Sequence, residues 1–231
     1  MVWTISSFKI LPRPDEVFRS IADLWLHQGL GQELLASISL NVEAVFISAL
    51  ISVAMAYLTV MPFFRPLVNA LGKARFLSMA GFTLLFTLVI GGGHALKLSL
   101  LVFAMTVFFV TSMASVVAEI PKSDFDYART LRMGEWRVVW EVVVLGTADK
   151  AFEVLRQNAA IGWMMLTLVE GIYRGEGGIG AMLLNQQKFF KMSEVFGIQI
   201  VILLVGLCQD LIIGALRRFA CPYASLTLER K

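Results

Sequence analysis

The chain has 231 residues, 58% of them hydrophobic and 16% charged, with a mean hydropathy of +0.75. Soluble domains average about 25% charged and 45–50% apolar residues, so an ordinary soluble domain is excluded and an integral membrane protein is indicated. The net charge of +3 is scattered among connections rather than gathered on one face, which excludes a nucleic-acid footprint.

The length suits one membrane domain with short connections. Cys208 lies in a hydrophobic stretch and Cys221 just after one, which offers neither a disulfide framework nor a metal-ligand spacing. His27 and His94 are isolated, so no zinc site is expected. No Gly-x4-Gly-Lys-Ser/Thr loop occurs, so any ATP hydrolysis belongs to a partner, and no cofactor is expected.

Residues 1–35 read as an N-terminal segment outside the hydrocarbon. Its first ten residues are mildly apolar but too short to span, which takes ~20 residues, and they lack a signal-peptide layout. Leu11-Pro12-Arg13-Pro14 is stiff and extended, because each proline fixes its own φ and biases its predecessor away from helix. Val17, Ile21, Leu24 and Trp25 then line one side of an amphipathic helix running towards His27, suited to lie at the membrane interface.

Five apolar runs follow, over residues 36–60, 75–90, 96–118, 154–172 and 195–216. Glu43 lies inside the first, Gly91-Gly92-Gly93 closes the second, and Asn158, Gly162 and Glu170 interrupt the fourth. All are expected to be α-helical, since only helices or closed barrels satisfy the backbone in lipid. The predicted fold is therefore an all-α polytopic bundle of about five spans, with the N-terminal interfacial helix. It occupies residues 36–222 and leaves a short tail at 223–231. Most of the 20 basic residues fall on the side of the 123–150 connector and of that tail, which places both in the cytoplasm and the N-terminus outside.

That connector is the longest polar, helix-competent stretch between apolar segments. Pro121 ends the preceding helix, and Ser123 followed by Asp126 matches a Ser-x-x-acid helix start. Phe125, Ala128 and Leu131 share an arc of roughly 120°, so this short helix has one face to bury. After Gly134, the residues Trp136, Val139, Trp140 and Val143 fall at i, i+3, i+4 and i+7, an apolar stripe on a second helix. Two short amphipathic helices joined by a glycine turn suit docking against another protein. Lying on anionic lipid is the competing role, but Asp124, Asp126, Glu135 and Glu141 dilute the basic face that such lipid would favour.

Asp126-Tyr127-Ala128-Arg129-Thr130-Leu131, followed by Trp136, Val139-Trp140 and Val142-Val143-Val144, resembles the "EAA" cytoplasmic loop of ABC-importer permease subunits. The family's leading Glu-Ala-Ala is Asp126-Tyr127-Ala128 here, its glycine falls at Arg132, and its Leu-Pro is Val144-Leu145. Leu-Pro-x-Pro before an amphipathic helix resembles the segment after the first span in the nitrate, sulfonate and taurine branch. The resemblance so implies that this sequence begins at or after the end of that span. Glu170-Gly171-Ile172 with the run from Glu176 to Leu183, and Cys208 to Arg218, resemble that branch's extracytoplasmic glycine segment and its final span.

The resemblance implies a type I ABC-importer permease fold in the bacterial cytoplasmic (inner) membrane. The partners it implies are a separate ATP-binding cassette ATPase and a second permease copy, identical or not. To these it adds a periplasmic or lipid-anchored substrate-binding protein and the membrane lipid itself. On that resemblance Asp126, Ala128, Leu131, Gly134, Trp136 and Val139 couple to the ATPase. The solute would be a small anion of the nitrate, sulfonate, taurine or bicarbonate class. A non-transporting membrane scaffold that keeps the permease fold is the alternative. An intramembrane enzyme lacks a Ser/His or paired-Asp arrangement at helical spacing.

Candidates for a translocation path are Glu43, Gly162, Glu170, Gly177, Gly178 and Gly180. A carboxylate in lipid costs at least a few kcal/mol, so Glu43 and Glu170 should face the bundle interior, a cavity or a polar partner. The glycines suit either a close-packed or re-entrant segment or a flexible loop. Trp163, Met164 and Met165 suit packing or lipid better than a pore.

Overall fold

The computed structural model describes residues 12–59, 65–77 and 79–222, and among them every regular element is helical. The first eleven residues and the expected tail at 223–231 lie outside the described residues. In chain order the helices are α1 Pro14–His27, α2 Leu30–Leu58, α3 Arg65–Lys73, α4 Met79–Ile90 and α5 His94–Ala118. After these come α6 Lys122–Thr130, α7 Glu135–Val138, α8 Ala148–Ile172, α9 Ile179–Lys188 and α10 Met192–Ala220. A 3₁₀ turn, Ala74–Phe76, extends α3, and a π-helical segment, Val139–Leu145, extends α7.

Helices α2, α5 and α10 are each long and apolar enough to cross a membrane, which makes this a membrane-embedded helical protein. The expected second span is built differently. Helix α4 holds 12 residues, about 18 Å at 1.5 Å per residue, short of a ~30 Å hydrocarbon core. Only together with α3 does it reach spanning length, as a pair bent by 116°, and Arg75 belongs to the 3₁₀ turn before it. Helix α8 matches α5 in length and begins six residues before the expected fourth run, but Glu153, Arg156 and Glu170 interrupt its apolar character.

Helix α2 packs through small residues. Ser37, Asn41, Ala44, Ser48, Ser52 and Ala56 recur at three- and four-residue intervals and are all fully buried. Lipid tails are as apolar as leucine, so helices in a membrane gain by close backbone approach, which such a stripe permits. Ser48 Oγ donates to Val102 O at 3.3 Å and Ser52 Oγ to Thr106 O at 3.4 Å. Four residues along α2 match four along α5, so the two helices run parallel, and α3 and α4 form the crossover that parallel neighbours require. Helices α8 and α10 are antiparallel, since Arg156 meets Asp210 while Glu153, earlier in α8, meets Arg217, later in α10.

The main core lies where α2, α5 and α8 meet and includes Leu40, Ala44, Met105, Phe109, Trp163 and Leu166. Gly162 sits at this contact: a Cβ there would stand 2.8 Å from Met105 Cε and 3.1 Å from Asn41 Oδ1. Gln209 of α10 accepts from Asn41 Nδ2 at 2.9 Å and Trp163 Nε1 at 2.6 Å, joining α2, α8 and α10 through one carboxamide.

Helix α1 lies across the end of α10. Val17 and Leu24 are buried, Ser20 Oγ donates to Ser193 O at 2.8 Å, and Phe18, Trp25 and Leu26 stay exposed. Trp25, expected on the packed side, is among the exposed residues. An apolar outer face on an amphipathic helix at the end of a bundle fits the expected interfacial position.

Candidate functional site

Two places concentrate chemistry, one at each end of the bundle. At the first, the 123–150 connector forms a knuckle of two helices. Pro121, extended at φ −62° and ψ 141°, is the N-cap of α6, so the helix begins at Lys122. The Ser123 hydroxyl bonds Asp124 Oδ1 at 3.3 Å instead of capping, because the proline has already set the start one residue earlier.

Helix α6 ends in a Schellman motif. Arg132 N–H donates to Arg129 O at 2.9 Å and Met133 N–H to Ala128 O at 3.2 Å, the two bonds that define it. The motif needs a left-handed residue, and Arg132 provides it at φ +54°. Gly134, the expected turn residue, is extended at φ −66° and ψ 154°. The turn therefore sits two residues earlier than the glycine, because the hydrogen bonds of the helix end decide which residue goes left-handed.

The knuckle buries little of its apolar surface. Ala128 is 4% exposed and Val143 fully buried, but Tyr127 is 75%, Leu131 63%, Trp136 73% and Trp140 60% exposed. The expected face of Phe125, Ala128 and Leu131 is buried at Ala128, half-buried at Phe125 and open at Leu131. The expected stripe of Trp136, Val139, Trp140 and Val143 is likewise split, with only Val143 inside and Val139 half-buried. Its reason is the π-helical winding of Val139–Leu145, whose wider turn breaks the 3.6-residue register. Asp126 pairs with Arg129 at 3.4 Å, and Arg137 Nε donates to Glu141 at 2.7 Å. That bond, and then the carboxylate's charge, raise the Arg137 pKa above the ordinary value.

At the opposite end, the buried Glu170 and the half-buried Glu33 clasp the start of α9. A helix begins with several N–H groups that lack intrahelical acceptors. Here Gly178 N–H donates to Glu33, Ile179 N–H to Ser37 Oγ at 2.9 Å, and Gly180 N–H to Glu170 Oε2 at 2.8 Å. Ser37 Oγ donates in turn to Glu170 Oε1 at 2.6 Å. Two carboxylates and a hydroxyl from α2 and α8 thus cap α9 through tertiary contacts, with the sign the helix dipole favours.

Lys97 of α5, itself buried, donates from Nζ to Gly177 O at 2.7 Å and lies within Coulombic reach of Glu170. Tyr173 OH accepts from Gly93 N–H at 3.0 Å, which ties the start of α5 to the end of α8. Gly177 and Gly178 have φ of +69° and +105°, so both need glycine. A Cβ on Gly180 would stand 2.5 Å from Thr167 O, which keeps α9 tight against α8. Beside the clasp, a cleft of about 380 Å³ is lined by Gln28, Glu33, Arg174, Gly177 and Asn185, among others.

The path candidates therefore separate. Glu170, Gly177, Gly178 and Gly180 come together in the clasp, where Glu170 is 1% exposed with both oxygens engaged. Gly162 lies at the core contact described above. Glu43 stands apart, partly exposed and 3.1 Å from His94 Nε2. Glu33, Ser37 and Lys97 join the site without belonging to any motif, and of the three only Lys97, a charge at the start of an apolar run, carries a signal in the sequence. The pairing of Asp210 with Arg156 shows in the sequence only as opposite charges in two apolar runs. Among the described residues no three His, Cys, Asp or Glu side chains gather as a metal site. No protein-family model matches the chain, and no curated protein is similar to it.

Proposed function

We propose that the chain is the transmembrane permease subunit of an ATP-driven ABC importer for a small solute, an anion on the resemblance of its loop. In this reading α8 and the bent α3–α4 pair complete five spans in a bacterial inner membrane. A separate ATPase seats on the knuckle, a second permease copy completes the path, and a binding protein delivers solute at the clasp end. The observation that supports it most is the knuckle's exposed set of Tyr127, Leu131, Trp136 and Trp140, set beside the buried Ala128 and Val143. Large aromatic side chains on a compact two-helix projection are what a protein partner's groove selects.

The test is capture of the tagged protein from native membranes in mild detergent, with mass spectrometry of what accompanies it. An ATP-binding subunit should be recovered, and Leu131→Asp with Trp136→Asp should abolish its recovery without altering the protein's own elution. These exposed positions suit the test better than Ala128, whose replacement by Asp would disturb the packing under α6. A well-folded protein that recovers no ATPase refutes the importer reading and favours the scaffold.

A further inference from the structure

A ladder of charge runs along the seam of α8 and α10 towards the knuckle end. Arg156 holds Asp210 with two bonds, Nε to Oδ1 at 2.5 Å and Nη2 to Oδ2 at 2.8 Å, and its Nη1 stands 4.0 Å from Glu153. Glu153 accepts from Arg217 Nη1 at 2.7 Å. These four side chains are not sealed by the protein's own packing: they are between 30% and 41% exposed. Gln157 and Ala160 are exposed on the same side of α8, four and seven residues beyond Glu153, and the stripe continues as Met164 and Leu168. Ile212 and Phe219 project from the other side of α10, about 180–200° round from Asp210 at 100° per residue.

Hydrocarbon offers no acceptors to a guanidinium and no partners to a carboxamide, so a half-exposed charged seam does not face lipid tails. A protein partner is also a poor occupant. Two cations and two anions pair within the chain, which leaves no net charge for a complementary surface to recognise. Arg156 still has N–H groups beyond those spent on Asp210, and water supplies acceptors for them without any shape match.

We infer that this part of the α8–α10 face lines a water-filled passage open at the knuckle end, narrowing where the stripe turns apolar at Met164 and Leu168. The inference rests on the spanning arrangement proposed above. It adds Glu153, Arg156, Gln157, Ala160, Asp210 and Arg217 to the wall of the path and fits a hydrophilic solute.

The test uses the full chain in membrane vesicles of both orientations, with Cys208→Ser and Cys221→Ser as background and Gln157→Cys, Ala160→Cys or Ile212→Cys added singly. All three added positions are exposed, so the fold is preserved, and elution in detergent checks that it is. A membrane-impermeant sulfonated maleimide should label the first two from the knuckle side only. The rate should exceed that of Ile212→Cys at least about tenfold, because the reactive thiolate forms only where water solvates it. Labelling of all three at the same slow rate would overturn the inference in favour of lipid. Resistance of the first two to the sulfonated reagent and to N-ethylmaleimide until denaturation would overturn it in favour of a seam sealed by a second copy. The labelling needs no ATPase, so it can hold where capture of an ATPase fails, and fail where capture holds.

Discussion

Replacing Glu170 by glutamine keeps the volume of the side chain and removes one of its two acceptor oxygens. In the protein those oxygens accept from Ser37 Oγ at 2.6 Å and Gly180 N–H at 2.8 Å, at a residue with 1% of its surface exposed. A buried donor left without an acceptor costs about 1–3 kcal/mol. Glu170→Gln keeps an acceptor for Gly180 and turns an amide group towards Ser37, so one donor is stranded and the cost is about 1–2 kcal/mol. Glu170→Ala strands both donors and leaves a cavity, for roughly 3–5 kcal/mol in all. That is a large share of the ~5–15 kcal/mol a folded protein has to lose.

In a chain of this size 1 kcal/mol shifts the melting temperature by about 2–4 °C, so glutamine should lower Tm by about 2–8 °C and alanine by more than 6 °C. Thermal unfolding in detergent, followed by loss of helical circular dichroism, reads both. Ser37→Ala should cost as much as the glutamine variant, and the double variant less than the sum, because the two side chains form one network. An unchanged Tm in Glu170→Gln, or strict additivity with Ser37→Ala, would refute the capping argument. If glutamine left Tm alone and abolished transport, Glu170 would be a path residue instead.

Other perturbations test the remaining geometry. Arg132→Gly relieves a left-handed arginine at the end of α6, and should stabilise by about 0.5–1 kcal/mol after the entropy glycine adds to the unfolded chain, seen as a small rise in Tm. Arg132→Val should do the reverse. Gly178→Ala puts a Cβ against the Glu170 carboxyl at φ +105°, and should loosen the clasp by more than ~2 kcal/mol, read as faster hydrogen exchange at the first amides of α9. Asp210→Asn should lower Tm by weakening the bidentate hold on Arg156, and the swap Arg156→Asp with Asp210→Arg should restore most of the loss.

Apolar runs and their lengths were enough to read a helical membrane protein, because the requirement to satisfy backbone groups in lipid acts locally and leaves few options. The two-helix character of the 123–150 connector was legible for the same local reason, from a proline stop and helical spacing. Positions decided by contacts were not. Gly134 carries the best turn composition, but Arg132 takes the left-handed place, since the carbonyls of Ala128 and Arg129 determine where the helix end closes. The apolar stripe from Trp136 to Val143 assumed a 3.6-residue repeat that the π-helical winding does not keep. Likewise, Arg75 belongs to a 3₁₀ turn that separates α3 from α4 rather than to a continuous span.

The sequence by itself determined that the chain is helical, that it belongs in a membrane, and that a carboxylate at Glu170 has to find a polar partner or a cavity. Only the tertiary structure decided what that carboxylate does. Its partners, Ser37 and Gly180, lie 133 and 10 residues away along the chain, and Lys97 reaches the same loop from a third helix. No periodicity within one segment records such pairings. A buried charge must find acceptors or donors, and which ones it finds depends on how the helices are brought together.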